Sequence, residues 1–158
     1  MQERVEPRGL FTTRPRQRSK DAMEIYTDAV GVKQLFRTIV EEEIGGKLTR
    51  MIKVKQGPLK ELARVIEKSE LRPDDPGCSD VVCDIVRAMV ECTSMKGVTA
   101  VLKRMLDLDD QGLIEIKRVK DRYVQSPSPG GWRDTMINFT IAAPGSCLRS
   151  GMATTYRF

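Results

Sequence analysis

Three groups of residues in this 158-residue chain are suited to charge chemistry. The first is Asp84, inside DVVCDIVRAMVEC (residues 80–92), a run rich in β-branched and apolar residues. Such a run reads as a strand buried on both faces. A carboxylate there costs on the order of several kcal/mol unless something compensates it. A place at the strand's end, opening onto a cleft, would relieve that cost. A magnesium ion bridging phosphate oxygens is a natural partner for a carboxylate so placed. The bland explanations are an ion pair with Arg87 or a helix cap. The second group is Lys60 and Lys68, eight residues apart on an expected helix. That spacing puts them near one face, roughly 12 Å apart along the axis, where they could hold a polyphosphate. A solvated helix face is the commoner use of such a pair.

The third group surrounds one loop, RVKDRYVQSPSPGGWRDTMINF (residues 118–139). Gly130-Gly131 lets the backbone approach a ligand closely. Trp132, the chain's single Trp, offers a flat face for stacking on a base, and Lys120, Arg122 and Arg133 could meet phosphates. Tyr123 stands among them. The alternative is a Pro/Gly hairpin with Trp132 folded onto the core.

These residues need elements to hold them. A helical pattern begins after Ser19, a candidate cap, with Tyr26, Ala29, Phe36, Ile39, Val40 and Ile44 near a 3.6-residue period. Gly45-Gly46 ends it. Residues 52–55 are too short to assign. Pro58 suits a first helical turn, and Leu59, Leu62, Ala63, Val65 and Ile66 give that helix an apolar side. Pro73, Pro76 and Gly77 mark a loop. After the run at 80–92, Ser94 caps a helix carrying Val98, Val101, Leu102 and Met105. Residues 113–119 and 135–141 alternate as strands on either side of the Pro/Gly loop. The fold class expected is α/β or α+β, a small mixed sheet flanked by helices and preceded by a long N-terminal helix.

The expected division is a basic arm over residues 1–18, one domain over 19–141 and an irregular tail over 142–158. Residues 1–20 carry five Arg and one Lys against Glu3 and Glu6, so most of the net charge of +5 sits there. An arm of this kind could bind RNA or an acidic partner. It could also be a transit peptide, although two early glutamates weigh against that. The rest of the chain is nearly neutral, which argues against wholesale coating by nucleic acid. No apolar run approaches the roughly 18 residues of a membrane span, so no membrane partner is expected. Cys78, Cys83, Cys92 and Cys147 form no C-x-x-C pair, and the chain has no His. Zinc sites of the usual kinds and Ser-His or Cys-His nucleophiles are thereby excluded. Free thiols fit the cytoplasm or another reducing compartment.

In order along the chain, these pieces resemble the synthetase domain of the RelA/SpoT family. Gly57-Pro58-Leu59-Lys60 with the later Lys68 is similar to the family's G-R-x-K segment, which contacts ATP phosphates. Asp84-Ile85-Val86-Arg87-Ala88 is similar to the strand that begins with the family's magnesium-binding Asp. Lys120-Asp121-Arg122-Tyr123, followed by Pro127-Ser128-Pro129-Gly130-Gly131-Trp132-Arg133-Asp134, resembles the K-D-Y…P-K-x-N-G-Y-x-S-L-H stretch that binds the guanosine nucleotide. The resemblance covers residues 50–141. It implies a nucleotidyltransferase-like fold and a relative of enzymes that move pyrophosphate from ATP to GTP or GDP, making guanosine tetraphosphate-type alarmones. It implies Mg2+ on Asp84, ATP phosphates on Lys60 and Lys68, and nucleotide contacts from Arg87, Lys120, Arg122, Tyr123, Trp132 and Arg133.

The departures bear on activity. Pro58 stands where the family has an Arg, Gly130 replaces Asn, Trp132 replaces Tyr, and Met136 falls near the family's His. The family's downstream E-x-Q-I-R strand has no match after Ile141, and residues 142–158 contain no acidic residue. No carboxylate there can act as base or second metal ligand. The implied protein is therefore divergent and C-terminally truncated, with weak or no transferase activity. The rival expectation is a non-catalytic interaction module that uses its basic arm. Without a terminal strand, residues 135–141 would form an exposed edge carrying Ile137, Phe139 and Ile141, open to self-association.

Overall fold

The computed structural model describes residues 15–73, 76–123, 130, 131 and 133–142, and the backbone of residues 155–157. Helix α1 (Ala22–Thr38) starts at Asp21, whose Oδ1 accepts the N–H groups of Met23 at 2.8 Å and Glu24 at 2.9 Å. Asp21 is therefore the cap expected at Ser19. Ser19 Oγ instead accepts the N–H of Asp21. The helix continues through wider π-type turns over Ile39–Gly45. Its inner side carries Ile25, Ala29, Phe36, Val40 and Ile44, all fully buried.

Strand β1 (Ile52–Gln56) follows, then an extended stretch, then α2 (Leu62–Glu70). The helix begins four residues after Pro58. The stretch before it is held by β-type bonds instead: Gly57 N–H donates to Arg87 O at 3.1 Å and Lys60 N–H to Ile85 O at 3.0 Å. Strand β2 (Arg87–Cys92) pairs antiparallel with β1, Ile52 opposite Cys92. The apolar run at 80–92 thus supplies only half the strand expected of it. Ser79–Val81 forms one tight turn, and the link to β2 is irregular. Val82, Ile85 and Val86 in that link are nonetheless fully buried. Composition reported burial correctly, but two aspartates in the run prevented a continuous ladder.

Helix α3 (Met95–Asp110) is capped by Ser94, as expected, and buries Val98, Val101, Met105 and Leu108. Strands β3 (Ile114–Asp121) and β4 (Thr135–Ile141) form an antiparallel ribbon. Phe139 of β4 stacks on Phe36 of α1 with ring centres 6.1 Å apart, joining the ribbon to the long helix. A bulge interrupts the ribbon between Ile116 and Arg118. Residues directly opposite one another share a face, and a bulge shifts that alternation by one. Ile114 and Ile116 therefore face the core before the bulge, and Val119 does so after it. Arg118 and Lys120, which strict alternation would have buried with the isoleucines, share the other face with Asn138 and Met136.

Strand β5 (Thr155–Arg157) pairs parallel with β2, with Arg87 opposite Thr155, giving a mixed sheet ordered β1-β2-β5. It also runs beside β4. One expectation is corrected here: the tail is not without structure, since part of it is a strand. Among the described residues β4 is laddered with β3 alone, and β5 lies close to it. Three residues are too few to show a period, so the strand left no trace in the sequence pattern. The order of elements is otherwise the one expected, an α+β fold with a small mixed sheet and a two-stranded ribbon.

Candidate functional site

The irregular link before β2 leaves Asp84 at the mouth of the sheet, three residues ahead of the first paired residue. Its two oxygens are held by two ammonium groups. Lys68 Nζ lies 2.9 Å from Oδ1 and Lys60 Nζ lies 3.1 Å from Oδ2. Both lysines converge because one comes from α2 and the other from the extended stretch before it, not from a common helix face. The expected 12 Å separation along a helix is thereby replaced by a shared carboxylate. Arg87, the alternative partner for Asp84, makes no ion pair among the described residues. Burial alone would raise the Asp84 carboxyl, but Lys68 and then Lys60 outweigh it and hold it below its ordinary value. Asp84 is therefore ionised at neutral pH.

A cleft of about 890 Å³ runs along α2, bordered by Pro58, Lys60, Arg64, Lys68, Arg72 and Arg87. Four of these cations, Lys60, Arg64, Lys68 and Arg72, recur every fourth residue. The expectation named only two of them, although the spacing was present in the sequence. A second hollow of about 330 Å³ opens on the far side of Pro58, where Gln56, Asp84, Arg87, Met89 and Met136 line it. Gly57 sits tightly at this junction, since a Cβ there would lie 3.1 Å from both Cγ and the carbonyl oxygen of Arg87. Arg87 thus borders both hollows, and Asp84 borders the second, which also holds two thioethers.

The loop residues divide. Lys120 lies on the face of β3 opposite Met136, and so on the side of the second hollow. Arg122, expected to meet phosphate, is engaged within the fold. It makes a two-pronged ion pair with Asp134, their side chains 13% and 2% exposed, and its N–H donates to Asp134 O at 2.9 Å. This pair closes the base of the loop. Tyr123 is half-buried, its N–H donates to Asp121 Oδ1 at 2.7 Å, and burial raises its phenol above the ordinary value. Arg133 is exposed. Trp132 and residues 124–129 lie outside the described residues, as do residues 1–14 of the basic arm. The structure therefore brings together Asp84, Lys60, Lys68 and Arg87.

The donor set can be tested against magnesium. Among the described residues there is no cluster of three or more His, Cys, Asp or Glu that could hold a metal ion. Asp84 stands as a single carboxylate with each oxygen already bonded to an ammonium. One carboxylate suffices for Mg2+ when phosphate oxygens and water complete the octahedron. The residues thus fit a magnesium ion arriving with a polyphosphate, and they do not fit one resident in the free protein. Cys78, Cys83 and Cys92 are unpaired thiols. No helix among the described residues is long and apolar enough to cross a membrane.

No family profile matches the chain, and no curated protein does. Solved structures do. The chain is similar to the type VI effector Tas1, solved with its immunity protein, at a TM-score of 0.56 and 16% identity, covering 89% of this chain and 62% of that one. It is also similar to the small alarmone synthetase 1 of Bacillus subtilis, solved with its product pppGpp, at a TM-score of 0.54 and 14% identity, covering 86% and 64%. The chain spans less than two thirds of the length of either protein. At these identities the likeness is one of fold, the alarmone-synthetase type of nucleotidyltransferase fold.

Proposed function

We propose that this chain is a nucleotide-binding domain of the alarmone-synthetase kind, which takes the polyphosphate of ATP along α2. Lys60 and Lys68 leave Asp84 for the phosphates, and Asp84, so released, accepts the magnesium ion that accompanies them. A guanine nucleotide is the second ligand, with Lys120 on the side of the second hollow. The single observation that carries this reading is the Lys60–Asp84–Lys68 cluster at the head of β2, open to a basic cleft. Two ammonium groups sharing one carboxylate leave a net positive charge, and the cleft's five cations outnumber its two glutamates, Glu61 and Glu67, so it attracts anions.

The same reading includes weak or absent transfer chemistry. Moving pyrophosphate to a ribose hydroxyl needs a group to take the hydroxyl proton. Asp84 is held ionised by two cations and is occupied with metal and phosphate. Strand β5 runs beside β2 at Arg87–Met89, and neither its residues nor any from 142 to 158 is acidic.

The test has two arms. ATP should bind wild-type protein more tightly with Mg2+ than with chelator, and Asp84→Asn should remove that advantage. Labelled ATP incubated with GTP should yield little or no pentaphosphate product on thin-layer plates. Absence of ATP binding by both proteins would remove the nucleotide reading, and brisk product formation would remove the claim of weak transfer.

A further inference from the structure

Asp84 lies outside the strand ladders, and its two neighbours are anchored to different parts of the chain. After it, Ile85 O accepts the N–H of Lys60 at 3.0 Å, which ties the link to the stretch before α2. Before it, the S–H of Cys83 donates to Pro15 O at 3.2 Å. Residues 16–20 extend that second anchorage along the link. Gln17 N–H donates to Asp80 O at 2.8 Å, Gln17 Nε2 donates to Val82 O at 3.1 Å, and Lys20 O accepts the N–H of Ser79 at 3.3 Å. Arg16 adds an ion pair to Asp80 Oδ2 at 2.9 Å. We propose that residues 15–20 are a strap that positions Asp84, with Gln17 as its main positioning residue. The proposal rests on the nucleotide reading for the use made of Asp84, and on these bonds alone for the strap.

A carboxylate that meets two cations at once depends on where its backbone is held. Asp84 gives Oδ1 to Lys68 at 2.9 Å and Oδ2 to Lys60 at 3.1 Å. A shift of about 1 Å would take either contact beyond hydrogen-bond length. In a ladder, paired neighbours on both sides would supply that precision. The link gains a ladder only at Arg87, so the strap and the stretch before α2 supply it instead. A binding group is held in place by the packing and hydrogen bonds around it.

The strap's bonds are sheltered. Gln17 and Asp80 are 7% and 4% exposed, so water cannot readily replace either partner. Burial pushes the Cys83 thiol up to about 12, so its S–H remains a donor at neutral pH. Pro15 and Cys83 border the same small hollow as Asp84, which places the end of the strap beside the carboxylate.

The full chain is tested as wild type, Gln17→Met, Cys83→Ala and Cys83→Ser. Acetylation of amines, read by peptide mass spectrometry, reports on the cluster without any nucleotide. In Gln17→Met, Lys60 and Lys68 should acetylate several times faster than in wild type, and the exposed Lys103 at an unchanged rate. Calorimetric titration of ATP, with Mg2+ and with chelator, reads the use of Asp84. The advantage given by Mg2+ should fall about fivefold, the worth of one buried hydrogen bond, while affinity in chelator does not fall. Cys83→Ala should act in the same direction, and Cys83→Ser, which keeps a donor for Pro15 O, should restore wild-type behaviour. That pair carries the test if thermal midpoints show that Gln17→Met does not fold. Equal loss of affinity with and without Mg2+, or faster acetylation of every lysine, means general loosening and overturns the positioning role. If wild type shows a Mg2+ advantage and the variants change neither it nor the lysine rates, the strap falls and the nucleotide reading stands. If wild type binds no ATP while Lys60 and Lys68 alone react faster in the variants, the nucleotide reading falls and the strap stands.

Discussion

Arg122 and Asp134 illustrate how a charged residue near a candidate site can be engaged by the fold. Their side chains are 13% and 2% exposed, and the guanidinium meets both carboxylate oxygens. Removing one member of such a pair strands the other charge without water. Asp134→Ala should therefore cost about 3–5 kcal/mol in urea unfolding. The double variant Arg122→Met, Asp134→Leu removes both charges and should recover most of that loss. Because Arg122 is committed to Asp134, the double variant should also bind ATP as wild type does. A large fall in its ATP affinity at unchanged stability would return Arg122 to the site. Asp84 is the contrasting case. Its partners are both lysines of the cleft, so the contacts that compensate its burial are the same ones a polyphosphate would compete for.

At the scale of elements, β5 is the piece with the most to explain. It pairs with β2 and lies close to β4. A chain ended at residue 142 would expose the main-chain groups of β2 and the apolar side chains of β4, inviting pairing between chains. Such a variant should form dimers or larger species in sedimentation velocity, at concentrations where the full chain does not. Equal behaviour of the two chains would contradict that role for β5. The strand was not legible beforehand because pairing over three residues carries no period. Helices α1 and α3 and the ribbon β3–β4 were legible, since their apolar residues recur at 3.6 or 2 over many positions. The link at 80–86 was half legible. Its apolar residues signalled burial, and only the partners of Asp80 and Asp84, 64 and 16 residues away or more, decided that it would not be a strand. The face of Arg118 was illegible for a related reason. Alternation from Ile114 and Ile116 assigns it to the core, and no local feature of the sequence announces the bulge that reverses the face.

Over the whole molecule, charge is placed in two regions with different consequences. Two cations of the α2 cleft, Lys60 and Lys68, are gathered on one carboxylate, while Arg64 pairs with Glu67. The cations of the first twenty residues include Arg16 and Arg18, which are already paired with Asp80 and Asp28. Pro15–Arg18 thus packs on the fold. The fold is shared with proteins far from this chain in sequence, so its function rests on what the cleft holds. Calorimetric titration of ATP with Mg2+ into wild type and Lys60→Met, Lys68→Met tests that most directly. The account predicts binding by wild type and a loss of at least about tenfold in the variant, since two charge-assisted contacts to phosphate are removed. Equal affinity in the two proteins, or no binding by wild type, would contradict it.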